Sequence, residues 1–339
     1  MNRISLARRL ALGFIAALLT ASHPVDDAWA AEKIVLRTDF PAVPIHSALF
    51  LAQLKGWYKD AGLDVEIQDG HGSTNTIQLV GAGQIDVAYV AQGSIMPARE
   101  SGMKIKSFAA VTHKSDLGLI YDPTRGISSI KDIKGKKFLC FSGSAWTPFI
   151  EPFLKAAGLD PKEVNVVNVD VNAMWSTYSV GQGDGVFSTP PWGLALVQPK
   201  RPSKAFIAAD YGVPLLGYGL IARDETIAAR PEALAKLAQV VAHSWDYIYN
   251  GHLEEGIEAI PKARPDVKLA PETARYSLEL YKQYFYTPES KNQPLWMEHD
   301  QEWAKAMKAE ESVGMIKPGH KTSEFYTDEV IKHIKPDKS

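Results

Sequence analysis

Four aromatic side chains fall in segments that the sequence predicts to be loops following strands. They are Phe40, Trp146, Trp175 and Trp192. Rings placed in this way can sandwich a flat or cyclic ligand, and their faces attract a cationic nitrogen. Asp39 and Asp170 lie in the same loops and would supply the counter-charge. For each tryptophan the alternative is burial in a core, which is the usual environment of this residue.

Short polar side chains occupy the same loops. Ser73 and Ser144 lie in small, hydroxyl-rich turns that lead into predicted helices, where free backbone N–H groups and hydroxyls can meet an anionic or carbonyl-bearing ligand. Helix capping alone explains such residues equally well. The predicted polar contacts to a ligand come from His46, Ser73, Thr74, Gln92, Ser94, Ser142, Ser144 and Thr189.

The sequence offers no arrangement typical of a hydrolase, a zinc peptidase or a dinucleotide-binding enzyme. No Gly-x-Ser-x-Gly elbow occurs, and the glycines at 181, 183 and 185 depart from the dinucleotide fingerprint. No pair of histidines has metal-like spacing, so we expect neither a metal nor another cofactor. We therefore expect that the protein is not an enzyme.

The first thirty residues have the layout of a cleavable secretory signal peptide. Arg3, Arg8 and Arg9 precede a short apolar run, and the Ala-x-Ala cleavage pattern ends at Ala30. The sequence thus predicts a periplasmic protein that begins near residue 31. Its formal net charge of −2 provides no basic face for nucleic acid, and its single cysteine, Cys140, forms no intramolecular disulfide.

Hydrophobic periodicity predicts two series of alternating strands and helices. The first runs through residues 33–90, and the second runs through residues 137–208. Helical patterns then follow at residues 232–249, 271–284, 295–313 and 324–334. Two series predict an α/β fold with two mostly parallel sheets flanked by helices and a helical C-terminal tail. Ligands of such sheets bind beyond the carboxyl ends of the strands, which is where the candidate residues lie.

Six short segments carry a resemblance to a known family. They are 46–58 (HSALFLAQLKGWY), 62–66 (GLDVE), 78–86 (QLVGAGQID), 133–137 (IKGKK), 156–160 (AAGLD) and 181–184 (GQGD). In this order and spacing they resemble the thiamine-precursor group of periplasmic binding proteins, which are relatives of the nitrate, sulfonate and taurine receptors of ABC importers.

The resemblance implies a two-lobe receptor of the type II periplasmic-binding-protein fold, which closes on its ligand by hinge motion. Lobe 1 would comprise residues 31–114 and 217–339, and lobe 2 residues 115–216, with crossovers near 114–116 and 213–217. The implied partner is an ABC permease of the inner membrane, and the implied state is a monomer. One enzyme of the wider group makes the thiamine pyrimidine with a cysteine-rich motif, so the single cysteine argues against that branch.

Two kinds of ligand remain open at this point. The aromatic loops favour a neutral or zwitterionic ring compound of the pyrimidine kind. The alternative is an organic anion such as a sulfonate, taurine or an aromatic carboxylate, although Arg37, Arg99 and Arg125 form no obvious anion clamp. A role as the partner of an envelope sensor, instead of a permease, also fits the same sequence.

Overall fold

Alternating apolar side chains build the first pair of strands. In the computed structural model, which describes residues 31–334, Ile34 and Leu36 of the first strand and Leu63 and Val65 of the second are buried, while the residues between them are more exposed. The two strands pair in parallel, as a connection through a helix requires. The predicted signal peptide, residues 1–30, lies outside the described residues.

Strands and helices alternate along the described chain in the predicted manner. The strands are β1 (Glu32–Thr38), β2 (Leu63–Gln68), β3 (Val87–Ala91), β4 (Ile105–Ala110), β5 (Gly118–Tyr121), β6 (Lys137–Cys140), β7 (Asn165–Asn168), β8 (Gly185–Ser188), β9 (Lys204–Ile207) and β10 (Tyr218–Arg223). The helices are α1 (Ser47–Lys55), α2 (Trp57–Asp60), α3 (Ser73–Gly81), α4 (Ile95–Glu100), α5 (Ile150–Ala156), α6 (Met174–Ser179), α7 (Pro190–Val197), α8 (Asp224–Ala229), α9 (Pro231–Tyr249), α10 (Leu253–Ala263), α11 (Pro271–Tyr281) and α12 (Asp300–Ser312).

The strands form two sheets of five strands each. Sheet A has the order β2-β1-β3-β10-β4, and sheet B has the order β7-β6-β8-β5-β9. In each sheet one strand, β10 or β5, runs opposite to the other four. Both sheets therefore have the same arrangement, and the predicted α/β class is confirmed.

The chain passes between the sheets twice, and each passage leads into the strand that runs opposite to its neighbours. The first passage, residues 111–117, joins β4 to β5, and the second, residues 208–217, joins β9 to β10. The predicted crossovers at 114–116 and 213–217 fall inside these segments. The division into two lobes at these points stays a prediction.

Separate apolar clusters cover the faces of each sheet. Helices α1, α9, α10 and α11 pack one face of sheet A through residues such as Leu49, Leu237 and Trp245, and α3 and α12 pack the other face through Ile77 and Trp303. Sheet B buries Phe138 and Phe187 on one face and Leu139 and Tyr178 on the other. No helix of the described chain is both long and apolar enough to span a bilayer.

The structure corrects two of the predicted helices. The apolar spacing at 46–61 predicts one helix, but this helix is interrupted at Gly56, whose φ of 78° ends α1 and starts a new short helix. The pattern at 324–334 contains only short 3-10 turns, because the main chain at Phe325 and Thr327 bonds to Ser107 on the edge of β4. These bonds to a strand replace the bonds that a continuous helix would make.

Candidate functional site

A cavity lies where the carboxyl ends of strands from both sheets meet. Sheet A contributes the loops after β1, β2 and β3, and sheet B contributes the loops after β6, β7 and β8. The space amounts to about 560 Å³, including the part that opens to solvent. Seven predicted site residues line it: Asp39, Phe40, Ser73, Ser144, Trp175, Thr189 and Trp192.

Aromatic rings from both sheets face this cavity. Phe40, from the loop after β1, meets Phe141, from the loop after β6, with ring centroids 6.0 Å apart. Trp175 on α6 and Trp192 on α7 complete the sheet B side, and both keep a buried indole N–H without a hydrogen-bond partner in the described protein. A buried donor of this kind calls for an acceptor on a ligand or a water molecule.

Asp39 is held in a fixed orientation at the wall of the cavity. Its Oδ1 is 3.0 Å from Nε2 of His46, and its Oδ2 accepts a hydrogen bond of 3.0 Å from the Tyr218 hydroxyl. Because Nδ1 of His46 accepts from the Val43 N–H, Nε2 carries the ring proton and donates it to Asp39. His46 is fully buried and does not line the cavity. Its predicted direct contact with a ligand is corrected to an indirect one, since it positions Asp39.

A second carboxyl group lies behind the cavity wall. Asp116, in the segment between β4 and β5, accepts a hydrogen bond of 2.9 Å from the hydroxyl of Tyr281, which lines the cavity from α11. Burial raises the pKa of Asp116 from 3.8 to about 7, since removal from water disfavours the charged form. This carboxyl group therefore exchanges its proton near neutral pH.

The lining hydroxyls of Ser73 and Ser144 also support the local fold. Ser73 Oγ accepts from the N–H of Ala91 at the end of β3, and Ser144 Oγ accepts from the N–H of Trp146. Thr189 precedes α7, and its carbonyl accepts from the Gly193 N–H in the first turn. The hydroxyls of Ser73 and Ser144 retain the capacity to donate to a ligand, because each oxygen is the acceptor in its bond to an N–H.

Trp146 and Gln92 are buried away from the cavity, which corrects their predicted contact with a ligand. The ring of Trp146 packs between Phe153 and Phe187, and its indole N–H donates to the Ser188 carbonyl over 2.9 Å. The amide of Gln92 donates to the carboxylate of Glu298. Both side chains have their polar groups satisfied within the protein, so their role is structural.

The remaining predicted site residues also lie outside the cavity. Asp170 caps its own turn by accepting from the Asn172 N–H, and Ser142 is exposed. Thr74 and Ser94 line a neighbouring space between α3, α4 and the loop after β6. Ser73 and Thr74 are consecutive residues of α3 and point about 100° apart around the helix, so packing of α3 decides which hydroxyl reaches the cavity.

Replacing Trp146 by alanine tests its assignment to the core. We expect the free energy of unfolding to fall by about 3–5 kcal/mol, the usual cost of removing a buried aromatic ring. Chemical denaturation of the ligand-free protein measures this loss. Trp192→Ala serves as the comparison, because its ring is only half-buried at the cavity and its loss should cost much less. Equal losses for the two variants would contradict the assignment.

Comparison with known proteins identifies the family. The family model described as NMT1/THI5 like matches residues 43–252. A 4-amino-5-hydroxymethyl-2-methylpyrimidine phosphate synthase of Schizosaccharomyces pombe is 28% identical over 141 residues, which are 42% of this chain and 40% of the relative. A protein of the same name from Aspergillus parasiticus is 25% identical over 64% of this chain and 67% of the relative. The matched segments thus cover from 40% to 67% of the length of these relatives.

These relatives overturn one expectation. They carry the name of an enzyme, which contradicts the prediction that the protein is not one. The single cysteine, Cys140, therefore does not exclude the synthase branch of the family. The lack of familiar catalytic motifs does not exclude an enzyme either, because the same fold can carry many different chemistries.

Solved structures show the fold. The periplasmic aliphatic sulphonate binding protein of Escherichia coli has a TM-score of 0.67 at 11% identity, covering 87% of this chain and 92% of its own. The periplasmic nitrate-binding protein of Synechocystis PCC 6803 has a TM-score of 0.63 at 15% identity, covering 90% and 88%. A ligand binding component of an ABC-type import system from Staphylococcus aureus has a TM-score of 0.67 at 13% identity, covering 90% and 99%. The chain belongs to the NMT1/THI5-like family and has the fold of the periplasmic binding proteins.

Proposed function

We propose that the protein is an extracytoplasmic receptor that captures a ring-containing, pyrimidine-like solute between its two sheets. The observation that carries this proposal is the cavity at the strand ends, which Phe40, Trp175 and Trp192 line together with Asp39. The names of the curated relatives refer to a pyrimidine, which agrees with a ring as the ligand. Ring stacking supplies the affinity, and the fixed polar groups orient the ligand.

The charges around the cavity argue against the alternative of an organic anion. Among the described residues that line it, Asp39 is an acid and no lysine or arginine is present. A sulfonate or carboxylate would meet this carboxylate without a charge-assisted partner. The unpartnered indole N–H groups of Trp175 and Trp192 suit a neutral acceptor such as a ring nitrogen.

Closure of the two sheets over the ligand is part of the proposal. The loops after β2 and β6 touch at Gly72 and Gly143, where a Cβ atom on Gly72 would lie 2.2 Å from the carbonyl oxygen of Gly143. The passages at 111–117 and 208–217 would act as the hinge between lobe 1 and lobe 2. A ligand that contacts both sheets favours the closed form, because the open form offers only half of its contacts.

The route of the solute completes the proposal. The basic and apolar start of the chain would direct export to the periplasm, where the receptor, as a monomer, would deliver its ligand to an ABC permease. The similarity in fold to a component of an ABC-type import system supports this route. A pull-down with candidate ABC permeases of the inner membrane would test the partner.

A thermal-shift screen tests the proposed ligand class. The purified protein is heated with pyrimidines, aromatic acids, sulfonates, nitrate and quaternary amines in parallel. A ligand at 100 times its dissociation constant stabilises the folded state by about 2.7 kcal/mol, which gives a clear shift. We expect ring compounds with an amino or cationic nitrogen to give the largest shifts. Stabilisation by nitrate or alkyl sulfonates alone would overturn the proposal.

The indole N–H groups can be removed while a six-membered aromatic ring is kept at each position. We expect Trp175→Phe and Trp192→Phe each to weaken binding of the best pyrimidine about tenfold, since each loses one hydrogen bond to the ligand. Isothermal titration calorimetry measures the change. Trp57→Phe, at a partly buried tryptophan of α2 that packs on His243 and Tyr247, is the control and should bind normally. Normal binding by both cavity variants would show that the N–H groups face away from the ligand.

A further inference from the structure

Asp116 connects the passage between the sheets to the wall of the cavity. It lies in the segment 111–117, its carboxyl group is buried, and its Oδ2 accepts from the hydroxyl of Tyr281. Tyr281 is at the end of α11 and lines the cavity together with Leu117, the residue after Asp116. The side chain of Tyr281 therefore stands between Asp116 and a charge placed in the cavity.

The groups that act electrostatically on Asp116 are acids and phenols. Burial is the largest cause of the raised pKa of Asp116, the hydroxyl of Tyr281 stabilises the charged form by a hydrogen bond, and charge repulsion by Asp39 adds to the effect of burial. The hydroxyls of Tyr89 on β3, Tyr218 on β10 and Tyr284 after α11 also interact with it. None of these groups is basic.

Two histidines near these acids are already hydrogen-bonded. His46 is bonded to Asp39, and His113, three residues before Asp116, is bonded to Glu302 and to the Leu295 carbonyl. Asp39 at the cavity wall and Asp116 behind it thus have no lysine or arginine partner among these residues. In a low dielectric a cation bound beside Asp39 would interact strongly with both.

We propose that the site selects a cationic ring compound, with Asp39 in contact with the positive nitrogen and Asp116 acting as a second acid through Tyr281. This inference rests on the proposed function, because it assigns a charge to the ring ligand proposed above. The aromatic side chains Phe40, Trp175 and Trp192 add cation–π attraction to the same charge. Asp116 is a positioning residue in this scheme, since Tyr281 stands between it and the ligand.

Binding of a cation would release a proton from Asp116 to the solvent. Burial holds the pKa of Asp116 at about 7 in the ligand-free protein, and a nearby positive charge lowers it. Below pH 7 part of the binding free energy is then spent on removing this proton. Linkage therefore predicts that affinity for a cation rises about tenfold between pH 6 and pH 8, whereas affinity for a neutral ring stays constant.

A pair of isosteric probes tests this directly. The cation is 3-hydroxymethyl-1-methylpyridinium, whose charge is independent of pH, and its neutral counterpart is 3-methylbenzyl alcohol. We expect tighter binding of the pyridinium at pH 8, by tenfold or more, together with the rise in its affinity from pH 6. Titration calorimetry in two buffers of different ionisation enthalpy counts the released protons. Release should approach one proton near pH 6 for the pyridinium and zero for the alcohol.

Two variants separate Asp116 from other buried acids. Asp116→Asn keeps an acceptor for Tyr281 and should abolish both the pH dependence and the proton release. Glu310→Gln removes a buried carboxyl on α12 that lines no part of the cavity, and it should leave both unchanged. Equal, pH-independent binding of the two probes would overturn the inference and leave the ring-binding function standing. Failure of both probes and of every ring in the thermal screen would instead overturn the proposed function.

Discussion

Replacing Gly72 by alanine is expected to weaken ligand binding about 100-fold, equivalent to about 2.7 kcal/mol. The added Cβ would lie 2.2 Å from the carbonyl oxygen of Gly143 and 2.8 Å from its carbonyl carbon. Both atoms belong to the main chain, so a side-chain rotation cannot relieve the clash. Because Gly72 lies in the loop after β2 and Gly143 in the loop after β6, the two sheets must move apart to accommodate the methyl group.

Gly102 provides a matched control for this substitution. Its φ of +98° is close to the +109° of Gly72, but no atom lies within 4 Å of the position that a Cβ would take. Gly102→Ala thus carries similar backbone strain without the contact between the sheets. Titration calorimetry and small-angle X-ray scattering should show weaker binding and a larger radius of gyration for Gly72→Ala alone. Similar affinities for the two variants would show that the contact at Gly72 plays no part in closure.

The second large effect concerns stability. We expect Asp116→Asn to raise the free energy of unfolding by about 4 kcal/mol at pH 8. Burial raises the pKa of Asp116 in the folded protein from 3.8 to about 7. The folded state consequently binds more protons than the unfolded state between these values. Stability of the wild type is lost as the pH rises through this window, and the variant, which has no charge to bury, avoids that loss.

Chemical denaturation from pH 4 to pH 8 measures this difference. The two proteins should have similar stabilities near pH 4, and the variant should become progressively more stable up to about pH 7. Asp170→Asn is the control, because Asp170 is exposed and its replacement should leave the curve of the wild type unchanged. A variant that loses stability at pH 8 would show that Asp116 is ionised and well paired in the folded protein.

The strand-end rule accounts for the part of the site that could be predicted from the sequence. Asp39, Phe40 and Ser73 follow strands of sheet A, and Trp175 and Trp192 follow strands of sheet B. Their positions depend on local order along the chain, since each strand must deliver its carboxyl end to the same edge. The alternation of apolar residues fixed the strands well enough for this rule to apply.

The rest of the site depends on tertiary packing that leaves no local pattern. Tyr281 comes from the helical tail, and Asp116 comes from a passage between sheets, so neither follows a strand that points to the cavity. Trp146 follows a strand in the predicted way, yet the space between Phe153 and Phe187 holds its ring in the core. The orientation of an aromatic side chain in a loop depends on the space that the neighbouring helices and strands leave for it.

The shape of the C-terminal tail was also set by distant residues. The amphipathic pattern at 324–334 predicted a helix, but the main chain at Phe325 and Thr327 bonds to Ser107 on β4, and short 3-10 turns take the place of the helix. Backbone hydrogen bonds to an available strand edge outweigh a weak helical preference. Sequence patterns therefore predicted the two sheets and the loops that face each other more accurately than they predicted the C-terminal turns that pack on sheet A.

The central claim, that a ring compound is held between the two sheets, is tested most directly by fluorescence titration with 4-amino-5-hydroxymethyl-2-methylpyrimidine. We predict saturable quenching of tryptophan fluorescence with one ligand per protein, and loss of this binding in the double variant Trp175→Ala, Trp192→Ala. The double variant should keep the circular dichroism spectrum of the wild type, because both rings are only partly buried. Undiminished binding of the pyrimidine by the folded double variant would contradict the account.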